Sequence, residues 1–425
     1  MIDIQLIRKE PDTVRAAMRK LGAEAPIDRI LQLDVDRRDL LQRVEGLRQQ
    51  RNETSEQIGL MVEGADRQAN IERMRGVNPE IDGLEQRLRV LETELESALY
   101  QVPNLPNESV PVGAGENENQ VLREEGQPRE FGFQPLPHWE LGTRLGILDF
   151  ERGVKLSGSR FYVLKAAGAR LQRALISWML DLHIAQHGYI EIYPPALVKE
   201  QCMWGAGQLP KFADNIYRDA EEDLWLIGTA EIPLTNLHRD ELLEFDQLPL
   251  SYVAYTPCFR REKFSAGRDV RGIKRGHQFD KVEMYKLTAP EDSYAALERI
   301  VEDASDVCRG LEIPFRVVQM VTGDLGFTAA KKYDLELWAP GSQEWLEVSS
   351  VSNCEAFQAR RTNIRFRRTP KAKPEFVHTL NGSGLALPRT LIAVLENYQQ
   401  PDGSVLVPEV LRPWMGGIEQ IKAAK

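Results

Sequence analysis

The sequence predicts an α+β protein: an antiparallel β-sheet flanked by helices, with an N-terminal arm of two antiparallel α-helices in a coiled coil. Three observations predict it. Apolar residues recur with 3,4 spacing in two long N-terminal runs. Short β-rich runs alternate with turns and helical patterns through the rest of the chain. Between the two regions lies a stretch rich in Pro, Asn and Gly with no period at all.

In the first run, Ile30 is followed by Leu33, Leu40, Val44, Leu47, Ile58 and Met61, with Arg37, Arg51 and Thr54 at the remaining seam positions. The second run is Ile71, Met74, Ile81, Leu84, Leu88, Leu91, Leu95 and Val102. A hairpin turn near Gly64 gives two arms of about 35 residues, each about 50 Å long at 1.5 Å per residue. The alternative break, Gly76 to Pro79, leaves the arms unequal, so the early turn is preferred and Pro79 is expected as a kink. Between Gly22 and Tyr100 every basic residue is Arg, Arg37, Arg38, Arg48 and Arg51 among them. Guanidinium forks suit phosphate oxygens and bases, but they suit Asp and Glu on solvated helix faces equally well.

Pro103 to Asn119 reads as the linker, so the expected domains are 1–105, with the hairpin at about 28–100, and 106–425. A chain of 425 residues with 42% hydrophobic content has ample material for two cores. The formal net charge of −10 excludes RNA binding driven by bulk charge and leaves only local basic patches. The four cysteines stand singly, which fits a reducing cytoplasm better than a disulfide framework or a thiolate metal site. No apolar run approaches about 18 residues, so neither secretion nor membrane insertion is expected. His183 and His187 have the spacing of a metal pair, but without a third ligand they are read as a helix surface.

In the second region Leu171, Ala174, Leu175, Trp178, Met179 and Leu182 mark one helix face, ending at Gly188, and Tyr189 to Tyr193 reads as a strand. Further strands are expected at 224–227, 252–255, 282–286, 316–319, 333–338 and 344–349. The most informative segment is Thr256-Pro-Cys-Phe-Arg-Arg-Glu262, a glycine-bearing polar loop, then His277-Gln-Phe-Asp-Lys-Val-Glu283. Alternation places Arg260 and Glu262 on one strand face, with Glu283 on a returning strand. One fixed cation and two anions so arranged suit an ATP phosphate and an amino-acid ammonium. Downstream, His378-Thr-Leu-Asn-Gly-Ser-Gly-Leu-Ala-Leu-Pro-Arg389 brings a second Arg beside a Gly-rich turn that leads into a helix at Thr390 to Tyr398.

These segments resemble motifs 2 (about 252–286) and 3 (about 378–398) of the class II aminoacyl-tRNA synthetases, with motif 1 at about 170–198. Thr229-Ala-Glu231, Leu234-Thr-Asn-Leu-His-Arg-Asp-Glu-Leu242, Thr322-Gly-Asp-Leu-Gly-Phe327, Glu347-Val-Ser-Ser350 and Phe357-Gln-Ala-Arg-Arg361 narrow the resemblance to the bacterial seryl-tRNA synthetases. It covers nearly the whole chain, in order. A class I synthetase, a P-loop NTPase and a Rossmann enzyme find no supporting motif.

The resemblance implies ATP-dependent activation of L-serine to seryl-adenylate and transfer of the seryl group to the 3′ end of tRNA(Ser); whether tRNA(Sec) is also charged stays open. It implies Arg260 and Arg389 as the catalytic cations. Thr229, Glu231, Arg260, Glu283, Asn381 and Ser383 would hold serine. Arg260, Glu262, Phe279, Glu347, Val348, Ser349, Ser350 and Arg389 would hold ATP, with Glu347 and Ser350 as ligands of its Mg²⁺. A pocket built around the substrate hydroxyl would reject alanine by about 10⁴-fold. The helical arm, with Arg37, Arg38, Arg48 and Arg51, would grip the long variable arm of tRNA, and the family is homodimeric through motif 1. His277 is expected as a structural donor, and Cys258 and Cys354 as packing residues. Gly228, Arg261, Lys263 and Phe264 depart from the bacterial pattern. Two other readings stay open: a seryl-adenylating enzyme that loads a carrier protein, whose relatives lack such a hairpin, and a scaffolding paralogue, which intact Arg260, Glu262, Glu283, Glu347 and Arg389 oppose.

Overall fold

Heptad spacing becomes a helical hairpin in the computed structural model, which describes residues 1–263 and 271–423. Helix α1 (Ile27–Leu60) and helix α2 (Ala65–Leu99) are joined across residues 61–64. Leu40, Val44 and Leu84 are buried in the seam with Leu47 and Leu88 against them, as facing apolar knobs require. Acids answer the arginines across the hairpin: Arg29 lies 2.6 Å from Glu94, Arg37 2.9 Å from Glu92, and Arg48 2.8 Å from Glu85. Helix α2 continues through Pro79 rather than ending there. No residue between Val44 and Ile81 is buried, so the outer half of the hairpin lacks a core of its own.

The chain divides into two units: the arm, from residues 2–19 and 23–103, and a second unit of Met1, residues 20–22 and everything from Asn104 onward. The second unit is built on one eight-stranded sheet. Its strands are β1 (Gln120–Glu125), β2 (Ile190–Glu191), β3 (Leu250–Phe259), β4 (Gln278–Thr288), β5 (Phe315–Gln319), β6 (Lys331–Ala339), β7 (Glu344–Asn353) and β8 (His378–Ala386). They lie in the order β1-β5-β6-β7-β8-β4-β3-β2, antiparallel except for the β2–β3 edge pair. Three helices supply the apolar layer: α4 (Ala166–His187), α6 (Ser293–Gly310) and α8 (Leu387–Asn397), with α3 (His138–Arg144), α5 (Glu231–Asn236) and α7 (Phe357–Thr362) completing the set used below. Leu171, Leu175 and Met179 of α4, Leu297 and Ile300 of α6, and Leu391 and Leu395 of α8 share a core with Met284, Leu335 and Leu380 of the strands. Helix α4 stops at Gly188, whose φ of 71° is the left-handed cap that glycine accepts without strain.

Three expectations are corrected. The strand expected at Tyr189 to Tyr193 shrinks to Ile190–Glu191. Arg260 and Glu262 do not share a strand face, because β3 ends at Phe259 and Glu262 sits at φ 50°, in left-handed backbone. The two histidines are not surface residues: the side chain of His187 is 2% exposed and His183 is fully buried. Their Nδ1 atoms lie 2.9 Å apart, while His183 Nε2 faces the Gly384 carbonyl and His187 Nε2 faces Asp306. Burial, followed by the neighbouring His187, pushes the His183 imidazole down to about 4. Among the described residues no group of three His, Cys, Asp or Glu is placed to hold a metal.

Candidate active site

Strands β3, β4, β7 and β8 and the start of α8 open onto a cleft of about 550 Å³. Thr229, Glu231, Glu283, Asn381 and Ser383 line one part of it, and Arg260, Glu262, Phe279, Glu347, Val348, Ser349, Ser350 and Arg389 line the rest. Every site residue expected outside the arm therefore borders one hollow. A bulge in β8 between Ser383 and Leu385 breaks the register with β4, after Ser383 has paired with Glu283 across the two strands. Both side chains reach the cleft from that pair.

The acidic end is a closed network. Glu283 is all but buried and its carboxylate meets the ammonium of Lys281, two residues earlier on the same strand face. Lys281 also donates to Thr229 Oγ1 at 2.8 Å, and that hydroxyl faces Glu283 Oε2 at 3.3 Å. Gln358 of α7 and Asn381 donate to Glu231 Oε1 at 2.6 and 3.1 Å. Burial, then repulsion by Glu283, raises the Glu231 carboxyl to about 7, although Lys281 acts against both. A hydroxylated ammonium compound entering here would meet two carboxylates and a ring of amide and hydroxyl groups.

The cationic end holds Arg260 by three bonds. Its Nε donates to the Gly228 carbonyl at 3.1 Å, its backbone N–H donates to the His277 carbonyl at 2.9 Å, and His277 Nδ1 donates to the Arg260 carbonyl at 3.0 Å. The guanidinium lies 5.1 Å from the centre of the Phe279 ring, a cation–π contact that flattens it against the wall. Arg389, on the first turn of α8, donates to the Glu347 carbonyl at 2.6 Å and lies 3.5 Å from its carboxylate. Glu262 faces Arg275 at 3.5 Å. Ser349 donates to the Ser383 carbonyl at 2.6 Å, and Val348 is part of the main core while still bordering the cleft. Cys258 and Cys354 are buried.

Arg261 turns from the cleft: its Nε donates to the Ile216 carbonyl at 3.0 Å and its guanidinium stacks on Tyr217 at 4.7 Å. The Lys263 backbone is held by Asn215 at 3.1 Å, and Phe264 lies outside the described residues. In the arm, Arg37 and Arg48 pair with Glu92 and Glu85, Arg38 with Asp34 at 3.2 Å, and Arg51 reaches Asn52 at 3.4 Å. Lys281, Gln358 and Arg275 also border or brace the cleft and were not singled out. The i, i+2 spacing to Glu283 was the available signal for Lys281; nothing local marks Gln358, which arrives from a separate helix.

Comparison with known proteins agrees with this geometry. Residues 212–398 match the class II core domain of tRNA synthetases for G, H, P, S and T, and residues 1–106 match the seryl-tRNA synthetase N-terminal domain. The serine–tRNA ligase of Roseiflexus sp. (strain RS-1) is 63% identical over 99% of this chain and 100% of its own length. That of Thermomicrobium roseum is 60% identical over 99% of this chain and 95% of its own. Among solved structures, seryl-tRNA synthetase from Pyrococcus horikoshii, complexed with ATP, superposes with a TM-score of 0.92 at 38% identity, each chain fully covered. Cytoplasmic serine–tRNA ligase from Naegleria fowleri, in complex with AMP, gives 0.88 at 32% identity, covering 100% of this chain and 99% of that one. With both domain models matched and full-length relatives this similar, the chain belongs to the seryl-tRNA synthetase family of class II, the ligases that charge tRNA with serine.

Proposed function

We propose that the cleft carries out both half-reactions of serine–tRNA ligation, with the acidic end as the serine pocket and the cationic end as the ATP subsite. The observation that carries this reading is the convergence of Arg260, Glu283 and Arg389 on one hollow. In the first step a serine carboxylate oxygen attacks the α-phosphorus of ATP, and pyrophosphate leaves. Two anions must be pressed together, so a preorganised cation between them supplies most of the help. Arg260, pinned by Gly228, His277 and Phe279, has no reorganisation left to perform. Arg389 neutralises the leaving phosphates or the adenine face, and Phe279 and Glu262 bound the base.

Glu231 takes the serine ammonium and Glu283 accepts from its hydroxyl, with Thr229, Asn381 and Ser383 closing the pocket. In the second step the 3′-terminal ribose hydroxyl of tRNA attacks the adenylate carbonyl and AMP leaves. No covalent intermediate on the protein is required. Mg²⁺ fits the donor set: Glu347 and Ser350 offer hard oxygens, and among the described residues no group of three His, Cys, Asp or Glu gathers there, which suits an ion that takes its remaining ligands from ATP and water. When bound with ATP, Mg²⁺ would neutralise phosphate charge.

Arg37, Arg38, Arg48 and Arg51 of the arm contact tRNA, the carboxylate partners of Arg37, Arg38 and Arg48 giving way to phosphate. Large apolar side chains on the motif 1 segment, with Ile190 56% and Tyr193 91% exposed, support a homodimer. No helix among the described residues is long and apolar enough to cross a membrane; we assign the protein to the cytoplasm. The test is serine-dependent exchange of pyrophosphate into ATP, followed by charging of tRNA(Ser). Both activities are expected; exchange without charging would turn the reading toward a carrier substrate, and neither would remove it.

A further inference from the structure

Behind the cleft, His138 and Glu396 form a buried pair, their side chains 3% and 0% exposed. His138 is the first residue of α3, and Glu396 lies in the last turn of α8, the helix whose first turn carries Arg389. The Glu396 carboxylate accepts from the backbone N–H groups of His138 and Ser342, each at 2.9 Å, and from Ser342 Oγ at 2.8 Å. His138 Nδ1 lies 3.0 Å from the same Oε1. A carboxylate accepts only, so the proton sits on Nδ1 and Nε2 is left as an acceptor. The backbone N–H of Ile273 donates to it at 3.1 Å.

Gly272 and Ile273 lie on the limb that returns from the motif 2 loop into β4. At Gly272 the φ is +75°, and a Cβ would stand 2.0 Å from His138 Nε2, so the limb is fitted directly onto the imidazole. The next residues, Lys274, Arg275 and Gly276, line the cleft. Lys274 donates to Glu344 at 2.6 Å and Arg275 faces Glu262.

We propose that His138 is a positioning residue for the nucleotide: its imidazole joins Glu396 of α8 to the backbone of Ile273 and so sets Lys274 and Arg275 at the wall of the cleft that Arg389 also lines. The proposal rests on the reading of that wall as the ATP subsite. His138 touches no substrate. It acts by fixing two elements that each bring a cation to the phosphates, and neither the serine pocket nor its carboxylates depend on it.

The test separates the two bonds of the imidazole. In His138→Asn the shorter amide keeps a donor near Glu396 and loses reach to Ile273, whereas in His138→Gln the longer amide offers Ile273 an acceptor. In serine-dependent exchange, His138→Asn should raise the KM for ATP about 10-fold, the scale of freeing one buried hydrogen bond, with the KM for serine unchanged. His138→Gln should recover part of that. KM is insensitive to the folded fraction, and Gly272→Ala, which presses on the same contact from the loop side, is read in the same way. A fall in kcat alone with both KM values unchanged, or no change in either variant, overturns the proposal. Arg275→Ala and Arg389→Ala serve as controls: if neither alters the KM for ATP, the subsite reading fails on its own account, whereas a rise there without one in His138→Asn and Gly272→Ala refutes the positioning role alone.

Discussion

Arg260 owes its place to neighbours rather than to its own strand. Its Nε is committed to the Gly228 carbonyl and its plane to Phe279, which leaves the terminal nitrogens of the fork for anions in the cleft. Arg260→Ala should therefore cost the activation step about 3 kcal/mol or more, the scale of one preorganised donor to a developing oxyanion. Single-turnover adenylate formation measures it, and a near parental rate would remove Arg260 from the mechanism. Glu231 gives a second expectation. Burial, then the neighbouring Glu283, pushes its carboxyl up to about 7, so below that pH it is neutral and cannot pair with an ammonium. The KM for serine should rise as pH falls through 7 toward 6, while the KM for ATP does not follow it. In Glu231→Gln that acid limb should disappear. The identities of these residues were readable from motif order; their support was not, because Lys281 and Gln358 act through contacts that only the folded chain creates.

At the scale of elements, periodicity carried far. The heptads gave the hairpin and its turn, since a seam of Leu40, Val44 and Leu84 must face inward wherever the helices go. The β-rich runs gave the long strands for the same reason of alternation. Strand ends were less legible: β3 stops at Phe259 because Arg261 N–H is taken by the Asn215 carbonyl, a partner 46 residues earlier in the chain that no local pattern announces. Buried His183 was misread because helical spacing gives the face of a residue but not what packs on it. The hairpin can also be excised. Arg29 and Glu94 touch at its base, so the ends left by removing Asp28 to Tyr100 lie close enough for a short glycine linker. Serine-dependent exchange should survive in that variant and charging of tRNA should be lost; equal loss of both would refute the division of labour.

For the whole molecule, two features of composition are resolved by architecture. A net charge of −10 does not oppose an RNA substrate when arginines are gathered on an arm, where Arg37, Arg38 and Arg48 each pair with an acid. The exposed Tyr193 and Ile190 are costly on a monomer and cheap under a second copy. Sedimentation should accordingly give a dimer, and Tyr193→Asp with Ile190→Asp should shift it toward monomer and lower charging; a monomeric parent protein would end that reading. The arm's uneven interior has a consequence of its own. Beyond Val44 and short of Ile81 no residue of its two helices is fully buried, and Pro79 withdraws one amide from the ladder, so helical order there rests mainly on propensity and surface ion pairs. Deuterium should enter the outer half orders of magnitude faster than the base, making the tip the part of the arm most readily remoulded by whatever it binds.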